Sequence, residues 1–203
     1  MQLRDYQIEI ANKAVDVLTN KYIVYLSMEV RTGKTLTSLE TAKLFGAKDV
    51  IFLTKKKAIT SILKDYKDFD YTFNLTVINN ESLHLTNGNF DLIISDEHHR
   101  CGTYPKPNKV TKLIKQRYSK LPMIFLSGTP HPESFSQIYH QFWISENSPF
   151  KNWSNFYKFA QVFVNVVQNN FGYAKVNDYS NCNYEKIKPL MDEYFIIFTQ
   201  KEA

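Results

Sequence analysis

Short apolar segments alternate with helical patterns along most of the 203-residue chain, and this alternation restricts the possible folds more than any other feature. Each segment is brief and rich in β-branched or aromatic residues, as strands covered on both faces are. Such strands, joined by helices, form the largely parallel sheet of an α/β domain. The predicted strands are Tyr22–Ser27, Val50–Leu53, Leu75–Ile78, Leu92–Ser95 and Met123–Leu126. The predicted helices are Arg4–Thr19, Lys34–Phe45, Lys56–Tyr66, Lys109–Tyr118 and Ser134–Phe142.

The alternation changes after about Ser148. Residues 150–167 have a helical, aromatic pattern, and residues 168–182 form a polar, Asn-rich stretch. A further predicted helix, Glu185–Tyr194, leads into a final strand, YFIIF. The sequence shows no internal repeat and no Pro/Gly-rich linker. We therefore predict a main domain over residues 1–147 and a C-terminal extension over residues 148–203.

Charge and cysteine usage restrict the class of protein. A net charge of +5 and a pI near 9.0 favour an anionic partner such as nucleic acid, although modest basicity is also common in soluble proteins. Cys101 and Cys182 are far apart and form no C-x-x-C pair, which indicates free thiols in an intracellular protein. The N-terminus is polar, and no apolar stretch approaches about 18 residues. We expect a cytoplasmic chain that neither enters a membrane nor is secreted.

The segment MEVRTGKT, Met28–Thr35, ends in the last three residues of a P-loop, G-x-x-x-x-G-K-[ST]. It joins a predicted strand to a predicted helix, whose first N–H groups and positive dipole end hold phosphate. The motif predicts that Lys34 contacts the β- and γ-phosphates and that the Thr35 hydroxyl binds Mg²⁺. Met28 stands in place of the first glycine, and the Gly-Lys-Thr fragment alone is also compatible with a chance loop.

The segment LIISDEHH places Asp96 and Glu97 at the carboxyl end of an apolar strand, where ligands of parallel sheets bind. Asp96 is predicted to hold Mg²⁺, directly or through water, and Glu97 to orient and deprotonate the attacking water. A solvated acidic turn is the alternative, but it does not account for the P-loop earlier in the same pattern. His98, His99 and Cys101 suggest a zinc site, which we discount because a stable one needs about four ligands.

Four segments in this order, LRDYQ, RTGKT, DEHH and SGTP, resemble the Q motif and motifs I, II and III of superfamily 2 helicases, motif II being of the DEAH-box type. The segments VINNESL, SGTPHPESFSQIYHQFWI and LMDEYFIIFTQKEA are similar to regions of Swi/Snf-type ATPases and their phage and bacterial relatives. The resemblance covers nearly the whole chain. It implies the N-terminal lobe of a two-lobed motor, a three-layer RecA-like P-loop NTPase domain with a mostly parallel central sheet and a helical C-terminal appendage.

The resemblance implies ATP and Mg²⁺ as cofactors and assigns roles to individual residues. Gln7 would read the adenine edge, with Arg4 and Tyr6 shaping the pocket, although an exposed helix residue is the alternative for Gln7. The expected ATP-binding residues are Arg4, Gln7, Arg31, Thr32, Gly33, Lys34 and Thr35. The expected catalytic residues are Lys34, Asp96 and Glu97, and the expected metal ligands are Thr35 and Asp96. His99, Ser127 and Thr129 would couple the ATP state to the grip on nucleic acid.

Two positions depart from the family pattern. His98 occupies the position where a DEAH box has alanine, so the local packing there is open. Arg31 replaces a glycine, which disfavours a positive φ at that point. We expect Arg31 to point away from the phosphates and to pair with Glu29, because Lys34 already supplies a cation. The alternative is that Arg31 turns inward as an additional cation.

The lysines Lys55, Lys56 and Lys57 directly follow the strand VIFLT, in the motif Ia region, and are the predicted contacts to a phosphate backbone. The lysines between residues 109 and 120 are more typical of a solvated helix face. Nothing in the sequence marks base-specific readout. The family resemblance favours double-stranded over single-stranded DNA as the partner, and translocation over unwinding as the activity.

These features predict the ATP-binding motor lobe of a nucleic-acid-dependent ATPase, a DNA translocase or helicase. Arginine fingers come from the second lobe in this family, so the single lobe is expected to bind ATP–Mg²⁺ weakly and to hydrolyse it slowly. We expect the chain to be a shortened form or a split gene product of a phage or a bacterium, whose partner is that second lobe. Two alternatives stay open: a non-catalytic, nucleotide-gated DNA-binding module, and the motor part of a restriction or nuclease system.

Overall fold

A computed structural model describes residues 2–171 and 174–202 of the chain. Within them, six parallel strands form one sheet in the order β3-β2-β4-β5-β1-β8, and β6 and β7 form an antiparallel pair. The strands are β1 Ile23–Met28, β2 Asp49–Thr54, β3 Asn74–Asn79, β4 Leu92–Asp96, β5 Met123–Leu126, β6 Val167–Phe171, β7 Ala174–Asp178 and β8 Phe195–Phe198. The helices are α1 Asp5–Lys21, α2 Lys34–Phe45, α3 Ile59–Asp68, α4 Lys109–Tyr118, α5 Ile138–Trp143, α6 Phe156–Phe163 and α7 Tyr184–Met191.

The described residues form two compact units. The first contains the residues up to His98, Lys120–Gly128 and the residues from Tyr194 onward; the second contains His99–Ser119 and Thr129–Glu193. The boundary between the units does not coincide with the predicted domain boundary at residue 148, because residues 129–147 belong to the same unit as the residues that follow them. The division into a lobe and an extension stays a prediction.

The first unit holds the six-stranded sheet and its core. Strands β1, β2, β4 and β5 are almost entirely buried, which explains their continuous hydrophobicity in the sequence. Met28 is the last residue of β1 and its side chain is fully buried in this core. The position of the missing P-loop glycine therefore belongs to the sheet rather than to the phosphate loop. Other members of the core are Val24, Leu26, Leu39, Val50, Phe52, Leu92, Ile94, Ile124 and Leu126.

The second unit is built around aromatic side chains, which accounts for much of the high aromatic content. Phe159 is fully buried, and its ring centroid lies 4.9 Å from that of Tyr139 and 5.2 Å from that of Phe150. Such ring pairs add about 0.5–1.5 kcal/mol each to the energy of burial. Further buried rings of the same unit are Phe142, Phe156 and Phe163.

The predicted α/β fold is confirmed, and each predicted strand of the sheet agrees with an observed one to within one residue at either end. The predicted helix over residues 150–167 is wrong over most of its length. The Asn155 side chain accepts a hydrogen bond from Lys158 N and starts α6 at Phe156, and Val164 leaves helical geometry to bridge Cys182. The polar stretch after it contains β6 and β7, which the sequence obscured because asparagine is depleted in strands.

In the part of the chain that the structure describes, every helix falls short of the length or apolarity that a membrane span requires.

Candidate nucleotide site

The loop from Glu29 to Gly33 connects β1 to α2 at the carboxyl edge of the parallel sheet. Gly33 has φ 80° in the left-handed region and is the N-cap of α2, with no side chain bonded across the helix start. The first N–H groups of an α-helix have no partner within the helix, and together with the helix dipole they attract anions. The loop therefore presents backbone donors of the kind that hold phosphate.

Lys34 lies across this loop. Its Nζ donates to the carbonyl oxygens of Met28, at 2.9 Å, and Glu29, at 3.2 Å. Burial lowers the pKa of Lys34, and the negative charges of Asp96 and Glu97 partly oppose that shift. The two carboxylates are therefore within electrostatic range of the ammonium, as a site for a phosphate and a metal ion requires.

Asp96 is the last residue of β4 and is held in place at both carboxylate oxygens. Oδ2 accepts from the Thr54 hydroxyl at 2.8 Å, and Oδ1 accepts from the backbone N of Glu97 at 2.9 Å. Burial raises the pKa of Asp96, while the hydrogen bond from Thr54 opposes the shift. Each carboxylate oxygen keeps a second lone pair, so Asp96 fits the oxygen coordination that Mg²⁺ prefers.

Glu97 adopts a left-handed backbone conformation, with φ 51°. Its Oε1 lies 2.7 Å from Nζ of Lys55, and the two side chains are 34% and 30% exposed. Lys55 thus lies at the carboxylates, whereas Lys56 and Lys57 are exposed on the following 3-10 turn. Left-handed conformations of residues other than glycine cost about 1–2 kcal/mol and concentrate at functional sites.

A pocket of about 350 Å³ opens beside the phosphate loop. Its lining residues are Gln2, Arg4, Tyr6, Gln7, Arg31, Gly33, Leu36, Asp65 and Phe69. Gln7 is only 4% exposed, and its Oε1 accepts from Arg4 N at 2.9 Å, so it is not an exposed helix residue. The Tyr6 hydroxyl donates to the carbonyl oxygen of Thr32 at 3.2 Å and joins this region to the loop. The pocket brings together the predicted adenine-reading residues and the end of the P-loop.

Arg31 differs from both expectations. Its φ is 67°, so the loop forms the positive φ even without glycine. The predicted pair between Arg31 and Glu29 is wrong, because the Glu29 carboxylate accepts from the backbone N of Gln200 at 2.8 Å, and Arg31 is an exposed residue of the pocket wall. Thr32 stabilises the turn, since its hydroxyl donates to Glu29 O at 2.7 Å.

His98 is a packing residue of the first unit. Its ring stacks on Phe125 with centroids 3.6 Å apart and an interplanar angle of 8°, and its Nδ1 is 2.9 Å from the Ser95 hydroxyl. The side chain is buried in this stack, which explains how histidine replaces the usual alanine. Among residues 2–171 and 174–202 no group of three or more His, Cys, Asp and Glu side chains is arranged to hold a metal ion.

The predicted coupling residues fall in different units. Ser127 is buried in the first unit, and His99 and Thr129 belong to the second, so their coupling stays a prediction. Gly128 was not predicted as a site residue, yet a Cβ there would lie 3.3 Å from Met28 O and 3.8 Å from Nζ of Lys34. The SGTP segment therefore approaches the P-loop lysine through its glycine.

Three other residues near the site were not predicted from the sequence. Thr54 is the last residue of β2, so its position at the carboxyl edge was readable, although its bond to Asp96 was not. Asp65 and Phe69 reach the pocket from α3 and its end, and no local pattern in the sequence indicates this.

The chain is similar to known proteins in part of its sequence and in its fold. Residues 1–78 match the family model described as type III restriction enzyme, res subunit. The SWI2/SNF2 ATPase core of Sulfolobus solfataricus, solved in complex with double-stranded DNA, superposes with a TM-score of 0.73 at 14% identity, over 98% of this chain and 45% of that one. The chain therefore shares the α/β fold of the matched part of this ATPase core. The chain thus spans about half of the SWI2/SNF2 ATPase core.

Two restriction-modification enzymes match in part. A nuclease-deletion mutant of the type ISP enzyme LlaGI, in complex with a DNA substrate mimic, gives a TM-score of 0.48 at 18% identity, over 64% of this chain and 18% of that one. The ATP-dependent type ISP enzyme LlaBIII bound to DNA gives 0.43 at 17% identity, over 63% and 13%. No curated protein matches the chain in sequence.

Proposed function

We propose that the chain is the ATP-binding motor lobe of a nucleic-acid-dependent ATPase, a DNA translocase or helicase. The observation that carries this proposal is the placement of Lys34, Asp96 and Glu97 at one edge of the sheet, beside the pocket that contains Gln7. Few other functions require a lysine at a helix start, two adjacent carboxylates and a pocket in this order.

Each residue has a role in hydrolysis. Lys34 exchanges its two carbonyl acceptors for β- and γ-phosphate oxygens, and the N–H groups at the start of α2 bind the same phosphates. Asp96 and Thr35 would hold Mg²⁺, which would supply positive charge to stabilise the phosphate group during its transfer. Glu97 orients the attacking water and accepts its proton. A second RecA-like lobe supplies the remaining charge, so this lobe alone turns over slowly.

The nucleic-acid partner we propose is double-stranded DNA, bound through its backbone. Exposed Lys56 and Lys57 and the net charge of +5 support phosphate contacts. The likeness to an ATPase core solved with double-stranded DNA supports the choice of duplex. A motor of a restriction system is the second candidate, because residues 1–78 match the restriction-enzyme family model.

The decisive experiment measures Mg²⁺–ATP binding by calorimetry for the wild-type chain, Lys34→Ala and Lys43→Ala. Lys43 is a matched control, because it lies on the same helix but in its last turn. We expect Lys34→Ala to weaken binding at least about tenfold, since a charge-assisted bond to phosphate is lost, and Lys43→Ala to bind as the wild type does. Equal binding by all three proteins would remove the nucleotide site from the proposal.

Two further measurements separate the candidates. Glu97→Gln is expected to bind ATP normally and to lose hydrolysis. If the wild type bound ATP without hydrolysing it and Glu97→Gln left its DNA binding intact, the chain would be a nucleotide-gated binding module instead. Binding of a duplex is expected to fall steeply between low and high salt and to be independent of sequence. An affinity that stays constant over that range would contradict backbone binding.

A further inference from the structure

Lys55 occupies a position that serves two of the predicted tasks. It follows β2, in the basic run that is predicted to contact DNA, yet its Nζ lies 2.7 Å from the catalytic Glu97 carboxylate. The DNA-binding segment and the hydrolytic residue are thus in direct contact within the first unit.

The pairing follows from the register of the sheet. Leu53 of β2 pairs with Ser95 of β4 in the parallel ladder. The next two residues after Leu53 and the next two after Ser95 continue in the same register. Thr54 bonds to Asp96, and Lys55 bonds to Glu97. Two consecutive residues at the end of β2 therefore hold the two consecutive carboxylates at the end of β4, so the contact follows from the fold rather than from a chance side-chain encounter.

The contacts of Asp96 and Glu97 differ in how easily another partner can replace them. Asp96 is held by a neutral hydroxyl and a backbone N–H, whereas Glu97 is held by an ammonium with about a third of each side chain exposed. Ion pairs as exposed as this one contribute little free energy. A DNA phosphate is an alternative acceptor for the same ammonium, and exposed Lys56 and Lys57 lie next to it.

We infer that Lys55 is a positioning residue for Glu97, and that a phosphate of duplex DNA competes with Glu97 for the Lys55 ammonium. In the resting protein Lys55 holds the Glu97 carboxylate away from the attacking water. When Lys55 turns to the DNA backbone, the carboxylate is released for its role as base. This inference rests on the proposed function, and it gives a route by which DNA binding stimulates hydrolysis.

A double-mutant cycle on duplex binding tests the competition. Affinity is measured by fluorescence anisotropy against salt for the wild type, Lys55→Ala, Glu97→Gln and the double variant. We expect Glu97→Gln to tighten binding about two- to fivefold and to steepen the salt dependence by about one phosphate contact. Lys55→Ala is expected to lose more affinity in the Glu97→Gln background than in the wild type, because only there is Lys55 fully available.

Three control variants test whether the coupling is specific to Lys55 and Glu97. Asp96→Asn removes the same charge one residue away, and its salt dependence is expected to stay that of the wild type, because Asp96 bonds to Thr54 and not to Lys55. Lys56→Ala is expected to weaken DNA binding equally in both Glu97 backgrounds. Lys55→Arg keeps a cation and is expected to restore the coupling that Lys55→Ala removes.

The rate of ATP hydrolysis is a second measurement, and it would stay unchanged in Lys55→Ala if Lys55 had a purely structural role. Single-turnover assays with labelled ATP are expected to show a higher DNA-independent rate for Lys55→Ala at unchanged ATP affinity, with a smaller stimulation by DNA. If the Lys55→Ala loss is the same in both Glu97 backgrounds, Lys55 and Glu97 act independently and the inference is wrong while the proposed function stands. If no variant binds duplex at any salt, the proposed DNA function itself fails and the inference with it.

Discussion

A Cβ atom on Gly33 would lie 2.1 Å from Nε2 of Gln7. This contact joins the start of α1 to the phosphate loop, because Gln7 is buried against the one loop residue that has no side chain. The pocket wall and the P-loop therefore share a surface at this point, and a side chain at position 33 would displace Gln7.

Gly33→Ala is expected to lose nucleotide affinity as well as stability, because the new methyl group displaces Gln7 and the backbone has φ 80°. Gly46→Ala is the matched control, since Gly46 has the same φ but nothing within 4 Å of its Cβ position. Both variants are expected to lose about 1–2 kcal/mol of unfolding free energy, measured by urea denaturation. Only Gly33→Ala is expected to weaken ATP binding in calorimetry; equal nucleotide affinities for the two variants would contradict a role for the Gln7 contact.

Arg31→Gly is expected to raise the free energy of unfolding by about 1 kcal/mol, because glycine adopts a φ of 67° without the penalty of a Cβ. Arg31→Ala removes the same guanidinium but keeps the penalty, so its stability is expected to stay close to that of the wild type. Comparing the ATP affinity of the two variants separates the effect of the backbone conformation from the effect of the lost positive charge. An equal loss of affinity in both would assign the guanidinium to the pocket, as its place in the lining suggests.

Asp96→Asn is expected to stabilise the protein at neutral pH. Burial raises the pKa of Asp96, so its ionised form is less stable in the folded than in the unfolded chain. The wild type carries this disadvantage at neutral pH and loses it as the pH falls through the raised pKa toward the ordinary value of 3.8. The gain from Asp96→Asn should therefore shrink toward acid pH in urea titrations. Exposed Asp16→Asn serves as the control, and a pH-independent gain would count against the argument.

His140 is expected to make the second unit less stable in mild acid. Burial lowers its pKa to about 4, and its Nδ1 lies 2.6 Å from Thr103 O. Between an unfolded pKa of 6.5 and the folded value of about 4, the unfolded chain binds more protons, so stability falls as the pH falls. The expected loss from this residue between pH 8 and pH 5 is about 2 kcal/mol.

Tryptophan fluorescence reports this transition, because both tryptophans of the chain, Trp143 and Trp153, lie in the second unit. His140→Asn removes the titrating group and is expected to reduce the pH dependence of the unfolding free energy by that amount. If the variant and the wild type lose stability in parallel, another group titrates in this range.

The central sheet was predictable because its strands are buried on both faces and so appear as short apolar runs. The positions of Asp96 and Lys34 at the carboxyl edge of the sheet were predictable, because Asp96 ends a strand and Lys34 begins a helix there. The bonds that hold the site were not predictable. Thr54 meets Asp96, and Lys55 meets Glu97, only through the register of β2 against β4, and no local pattern encodes register.

Two further features depended on tertiary context. The strand pair β6 and β7 is rich in Asn and Gln, residues whose preference for turns concealed the strands. The left-handed conformation of Arg31 contradicts its intrinsic preference, and the bonds of the Thr32 hydroxyl and the Gln200 backbone to Glu29 fix the surrounding loop. In both places the contacts of the folded chain determine the backbone conformation, against the intrinsic preference of the residues.

The position of β1 has a consequence for the order of events during synthesis. This strand lies between β5 and β8, so its neighbours come from residues 123–126 and 195–198. The loop that follows it is bonded to Gln200, which donates to the Glu29 carboxylate and to the carbonyl oxygen of Val30. During synthesis we therefore expect the phosphate loop to gain its two bonds to Gln200 only after residues near 200 have left the ribosome, and the apolar β1 to lack at least one strand neighbour until then.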